Sequence, residues 1–190
     1  MQQTSTPPGH ATQERWLKRY CFSRAAFSLA WIAAAIGLAV HSPGIAALLL
    51  VGYPAWDALA NLVDGQRTGD LARNRSQAIN AAISAAVAIG VAIALPDMHR
   101  VLGVFGTWAI LSGVFQLITA LRRRKTQGGQ WPMIVSGAQS ALAGAFFIFQ
   151  AGMPATPSIA TVTGYAGFGA FYFLVAAVSL TLRKARRTAG

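Results

Sequence analysis

The chain alternates between long apolar stretches and short polar or basic connections. Six apolar runs cover residues 22–40, 45–63, 79–95, 101–121, 132–149 and 159–182. A bilayer core about 30 Å thick needs roughly 17–25 residues of helix, and each run falls close to that range. Spanning strands would need a closed barrel with alternating polar and apolar residues, and these runs do not alternate. The pattern therefore predicts an all-α membrane protein with six transmembrane helices.

The polar flanks of the runs predict the domain boundaries. Residues 1–20 form an N-terminal tail, residues 21–183 the six-helix transmembrane domain, and residues 184–190 a basic C-terminal tail. A basic stretch before an apolar run also resembles a signal peptide. However, the first run is longer than a usual signal-peptide core, and Ala39-Val40-His41 is a poor cleavage site. We therefore expect the first helix to remain part of the protein.

Composition and charge agree with a membrane protein. Hydrophobic residues make up 54% of the 190 residues and charged residues only 11%, whereas soluble domains carry about 25% charged residues. A formal charge of +11 would ordinarily suggest a nucleic-acid partner. Here the basic residues fall before or at the start of helix 1 (through Arg24), between helices 2 and 3, between helices 4 and 5, and after helix 6; the exception is Arg100.

This distribution predicts the orientation in the membrane. Because basic loops stay on the cytoplasmic side, we expect both termini in the cytoplasm and a multi-pass protein of the bacterial inner membrane. The charge then reflects topology, so a nucleic-acid partner is not expected. The partners expected are the lipid bilayer, with anionic lipids at the cytoplasmic rim, and a possible homo-oligomer.

Glycines recur at matching places along the chain. Gly37, Gly90 and Gly144 fall late in helices 1, 3 and 5, and a second set falls early in helices 2, 4 and 6. This spacing predicts three repeated helical hairpins, made of helices 1–2, 3–4 and 5–6. Small residues four apart, such as Ser140 and Gly144, allow close backbone approach in lipid. We therefore expect helices 1, 3 and 5 to form the inner packing core.

Polar residues inside the apolar runs are the main candidates for function. Asp57 and Asn61 share one face of helix 2, and Ser112 and Gln116 stand at nearly equivalent positions of helix 4. One hypothesis is a polar seam between these helices that conducts protons or small solutes. The other, which we favour, is that Asp57 and Asn61 hydrogen-bond to neighbouring helices and stabilise their packing. In that case Asp57→Asn should leave stability nearly unchanged.

Few other residues offer chemistry. His41 and His99 lie in predicted outer turns, where a histidine near its ordinary pKa of about 6.5 would charge as the medium acidifies. They are candidate pH-sensing residues, although exposed turn histidines are more often without function. Phosphate loops, nucleophile–base pairs, metal clusters and haem ligand pairs are not recognisable. We therefore expect no enzymatic activity, no cofactor and no metal.

One segment is similar to a known family. Its pattern is a helix with Gly106, Trp108, Ser112 and Gly113, then the basic loop 122–125, then a helix with Ser136, Gly137, Ala143 and Gly144. This pattern resembles the HdeD-type family of small bacterial membrane proteins, built from short repeats of unknown function. The resemblance implies a six-helix inner-membrane protein, with some relatives tied to acid resistance.

These observations lead to two functional hypotheses. The first is a non-enzymatic inner-membrane protein related to stress or acid resistance, acting through helix packing and lipid contacts. The alternative is a small transporter or channel that uses the seam between helices 2 and 4.

Overall fold

The computed structural model describes residues 8–67, 74–123 and 131–188. These residues form six α-helices and one short 3-10 turn at Ala39–His41, and none of them lies in a strand. The helices are α1 (Pro8–Gly37), α2 (Pro43–Arg67), α3 (Arg75–Ala94), α4 (Met98–Arg123), α5 (Trp131–Ala151) and α6 (Ala160–Thr188). The all-α prediction is confirmed. Residues 8–20 of the expected N-terminal tail form the first part of α1.

Each helix contains a stretch long and apolar enough to cross a bilayer. These stretches range from the 19 residues of Met133–Ala151 to the 27 residues of Arg15–His41. Many large apolar side chains point outward, and Ile93 and Leu142 are 77% and 72% exposed. Such a surface is favourable in lipid, where exposed apolar groups need no burial, and a helix satisfies its own backbone polar groups. The chain is a multi-pass membrane protein.

The helices pack most extensively in the pairs α4–α5, α2–α3 and α1–α6. Between α1 and α2, and between α5 and α6, the contact is slight. The predicted hairpins of helices 1–2, 3–4 and 5–6 are therefore not the packing units of this fold. We call the end of the bundle that carries Arg15, Arg67 and Arg75 the basic end, and the end that carries His41 and Asp97 the opposite end.

The α4–α5 pair is built on four buried glycines. A Cβ atom added at Gly113 would lie 2.5 Å from the carbonyl oxygen of Gly137, and one added at Gly144 would lie 2.5 Å from that of Gly106. Real Cβ atoms do not approach this closely, so any larger side chain would push the helices apart. Two backbones in such contact gain dispersion energy along their whole length, which is how helices associate in lipid.

The other glycines that the spacing singled out behave differently. Gly37 is exposed, and an added Cβ would meet nothing within 4 Å, so its predicted role in packing is wrong for the described residues. Gly90 faces the side chain of Val104 on α4, where an added Cβ would stand in ordinary contact at 3.4 Å. Helices 1, 3 and 5 do not form the inner core by themselves, because the buried core contains residues from all six helices.

Aromatic rings form part of this core, and three of them come from the even-numbered helices. The Trp108 ring of α4 lies between Tyr53 of α2, at 6.3 Å between ring centroids, and Tyr165 of α6, at 6.5 Å. These residues stand one or two positions after the early glycines of their helices. Aromatic side chains carry a large apolar surface, so these rings account for much of the buried core.

Candidate intramembrane polar site

The polar face of α2 points into the protein, toward α1 and α3. Asp57, Asn61 and Asp64 are spaced four and three residues apart, which places them on one side of the helix. Asp57 lies ten residues before Arg67 at the basic end, about 15 Å along a helix. The carboxylate is thus inside the apolar part of the span.

Both oxygens of the Asp57 carboxylate accept hydrogen bonds. Oδ1 accepts from Nη2 of Arg24, with which it forms an ion pair. Oδ2 accepts from the hydroxyl of Ser84 at 2.6 Å and from the amide of Asn61 at 2.9 Å. The same Asn61 amide nitrogen donates to the backbone carbonyl of Asp57 at 2.8 Å. A single carboxylate therefore connects α1, α2 and α3.

The counter-ion of Asp57 was missed by the sequence analysis, which counted Arg24 among the basic residues at the membrane surface. The structure buries this side chain, leaving 13% of it exposed, and its guanidinium lies over the Phe173 ring of α6 at 4.6 Å. The sequence contains a signal of this burial. Arg24 is nine residues after Arg15, so it lies about 13 Å along the helix from the basic end, close to the depth of Asp57.

A second polar layer lies nearer the basic end. Asp64 is 6% exposed, and its Oδ1 accepts from the indole nitrogen of Trp16 on α1 at 2.9 Å. Its Oδ2 accepts from the amide of Gln77 on α3. The guanidinium of Arg67 lies over the Trp16 ring at 5.0 Å. The two aspartates of α2 thus bridge the same three helices at two depths.

The predicted seam between helices 2 and 4 is not formed. Gln116 donates to the backbone carbonyl of Met133 on α5 at 3.2 Å, and Ser112 on the same helix is half-buried. Asp57 and Asn61 bond to α1 and α3 instead. The physical reason is the close α4–α5 packing, which turns the polar side of α4 toward α5. The ring contact between α2 and α4 is made by Tyr53 and Trp108.

Ser140, predicted as a packing residue, makes a polar contact that joins three helices. Its hydroxyl donates to the backbone carbonyl of Ala109 on α4 at 3.0 Å, and it lies 3.0 Å from the hydroxyl of Tyr165 on α6.

Beside this contact, α5 and α6 leave a crevice of about 590 Å³. The crevice is lined by Gln139, Gly164, Gly167, Phe168, Phe171 and Tyr172. The Tyr172 hydroxyl donates to Oε1 of Gln139 at 2.7 Å.

The two candidate pH-sensing histidines have different surroundings at the opposite end. Nδ1 of His99 lies 3.1 Å from the carbonyl oxygen of Ala151, the last residue of α5. His41 is exposed in the 3-10 turn that follows α1. The carboxylate of Asp97 accepts the backbone N–H of His99 at 3.0 Å and pairs with Arg100 at 3.2 Å. His99 therefore joins the start of α4 to the end of α5.

The two aspartates of α2 make contacts that join neighbouring helices. Asp57 has donors on both oxygens, and Asp64 likewise accepts from side chains of two other helices. Among the described residues, no group of three or more His, Cys, Asp or Glu side chains is placed to hold a metal ion. The side chains of this site link α1, α2 and α3 through hydrogen bonds.

When the chain is compared with known protein families, one segment matches a family model. Residues 79–149 match the family model described as a short repeat of unknown function (DUF308). The match begins within α3, covers α4 and its glycine interface with α5, and ends near the end of α5. Neither the curated proteins nor the solved structures give a match to the chain.

Proposed function

We propose that this chain is a non-enzymatic component of the bacterial inner membrane that serves in stress or acid resistance. The proposal is supported by the match of residues 79–149 to the repeat family of the HdeD-type membrane proteins. In this proposal both termini are cytoplasmic, and the basic end faces the cytoplasm. The protein acts through its stable helix packing and its lipid contacts.

The observation that carries the proposal is the complete engagement of the Asp57 carboxylate. A group that relays protons or binds a transported cation needs an accessible face. Asp57 instead accepts bonds from Arg24, Asn61 and Ser84, and its side chain is 16% exposed. A buried carboxylate whose two oxygens both accept hydrogen bonds from neighbouring helices is a means of holding those helices in one arrangement.

The position of the carboxylates supports a role under acid stress. Acid unfolding follows mainly from protonation of carboxylates that are paired in the native state. In the described connections at the opposite end, the acidic residue is Asp97, which forms an exposed pair with Arg100. Exposed pairs contribute about 0–1 kcal/mol. The buried carboxylates of Asp57 and Asp64 lie in the other half of the bundle, away from an acidified periplasm.

The alternative of a small transporter or channel makes a different demand on Asp57. Conduction along helix 2 requires a carboxylate that exchanges a proton or attracts a cation by its negative charge. An amide is neutral and does not exchange a proton in the physiological range. Packing requires only that no charge is left without a partner. The two hypotheses therefore predict different outcomes when both members of the ion pair are made neutral.

The deciding experiment uses the double variant Arg24→Gln/Asp57→Asn in a deletion strain. We expect acid survival equal to that of the wild-type chain when membrane levels are matched. The single variant Asp57→Asn serves as the comparison and should survive less well, because less of it folds. If the double variant inserts and is as stable as the wild type but does not restore survival, the packing proposal is overturned in favour of conduction.

A further inference from the structure

Three arginines lie together where α1 enters and α2 leaves the basic end. Arg67 lies against the ring of Trp16, and Arg15 and Arg19 flank that tryptophan on α1. All three arginines are exposed. We call these four residues the basic corner.

Arg67 is held in place by its contact with Trp16. The indole nitrogen donates to the buried Asp64, which fixes the ring between α1 and α2. The guanidinium of Arg67 lies 5.0 Å from the ring centroid, in the range of a cation–π contact. A guanidinium that is already held in one place loses less conformational entropy when it binds an anion.

Among the carboxylates whose side chains the structure describes, none forms an ion pair with an arginine of the basic corner. The ion pairs of the described side chains are Arg24–Asp57 and Arg100–Asp97, neither of which involves these three arginines. Arg15 donates to the hydroxyl of Thr12 at 3.3 Å, a neutral partner. Asp64, although close to Trp16, is buried and accepts bonds from Trp16 and Gln77. The corner therefore offers positive charge and N–H donors outward.

We propose that the basic corner binds the phosphate of an anionic phospholipid headgroup, such as phosphatidylglycerol. Arg67 contacts the phosphate as a fork, since a planar guanidinium matches two phosphate oxygens. Arg15 and Arg19 add attraction for the negative bilayer surface. The corner stands at the start of the span Arg15–His41 and at the end of the span Pro43–Arg67, which is the depth of lipid headgroups. This assignment does not depend on a role in acid resistance.

Native mass spectrometry of the full chain, released from micelles containing equal amounts of phosphatidylglycerol and phosphatidylcholine, tests the assignment. We expect the wild-type chain to retain phosphatidylglycerol preferentially. Arg67→Gln should weaken this retention about fivefold, the change expected from about 1 kcal/mol per basic residue near a charged surface. Arg67→Lys should fall between the two, because lysine keeps the charge but loses the fork.

Arg100→Gln is the matched control, since it removes an exposed arginine at the opposite end, and it should leave retention unchanged. Each variant is first compared with the wild type by thermal unfolding. If Arg67→Gln does not fold, Arg67→Lys carries the test alone. Equal retention by the wild type and the Arg67 variant would overturn the proposal. Displacement of the lipid by millimolar inorganic phosphate would also overturn it, because the site would then bind free anions.

Discussion

Replacing Asp57 with asparagine provides the most direct test of the buried ion pair. The variant keeps the size of the side chain and one carbonyl oxygen, but it removes the negative charge. Arg24, Asn61 and Ser84 all donate to the native carboxylate. After the substitution they share a single acceptor, and the guanidinium of Arg24 has no counter-ion among the residues that contact it here.

The expected loss follows from the burial of both partners. Their side chains are 13% and 16% exposed, so water does little to solvate the orphaned charge. Removing one member of a buried pair costs about 3–5 kcal/mol, because the other charge remains buried without compensation. Loss of one hydrogen bond between membrane helices costs about 0.6 kcal/mol. The size of the loss in unfolding free energy therefore distinguishes a buried ion pair from hydrogen-bonded packing alone.

The assay is the free energy of unfolding in mixed micelles titrated with sodium dodecyl sulfate, measured in a double-mutant cycle. Asp57→Asn should lose about 3–5 kcal/mol, and Arg24→Gln a similar amount. The double variant should recover most of the loss, since it leaves neither charge alone. An Asp57→Asn protein within about 1 kcal/mol of the wild type, the range of hydrogen bonds between membrane helices, would refute the reasoning and restore the neutral outcome expected from the sequence.

Three further predictions concern packing and topology. Gly113→Ala should destabilise the protein by about 1–3 kcal/mol in the same assay, because its Cβ would overlap the backbone of α5, whereas Gly164→Ala, in open space, should not. Ser84→Ala should cost about 0.6–1.7 kcal/mol through the lost bond to the carboxylate of α2; no loss would show that this bond is absent in the membrane. Reporter fusions at Lys125 should read cytoplasmic and those near His99 periplasmic, and a periplasmic signal at Lys125 would contradict the proposed orientation.

Several features of the polar site could be predicted from the sequence. Asp57 and Asn61 were identified because a carboxylate and an amide inside an apolar run are rare and must find partners. Their shared face followed from helical spacing alone. Arg24 was missed because a basic residue near the start of a span is usually read as a surface anchor, and only its depth along α1 distinguishes it from Arg15.

The six spans were determined by the sequence itself, because each must satisfy its own backbone hydrogen bonds in lipid, independently of its neighbours. Which helices pack together was decided by the tertiary structure. All six helices carry small residues, so small residues alone do not select the partner of a helix. The partner is selected where two helix surfaces fit each other, as they do where the backbones of Gly113 and Gly137 meet. The same holds for the polar face of α2. Its periodicity shows that Asp57 points one way, but only the placement of α1 and α3 brings Arg24 and Ser84 to it rather than Gln116.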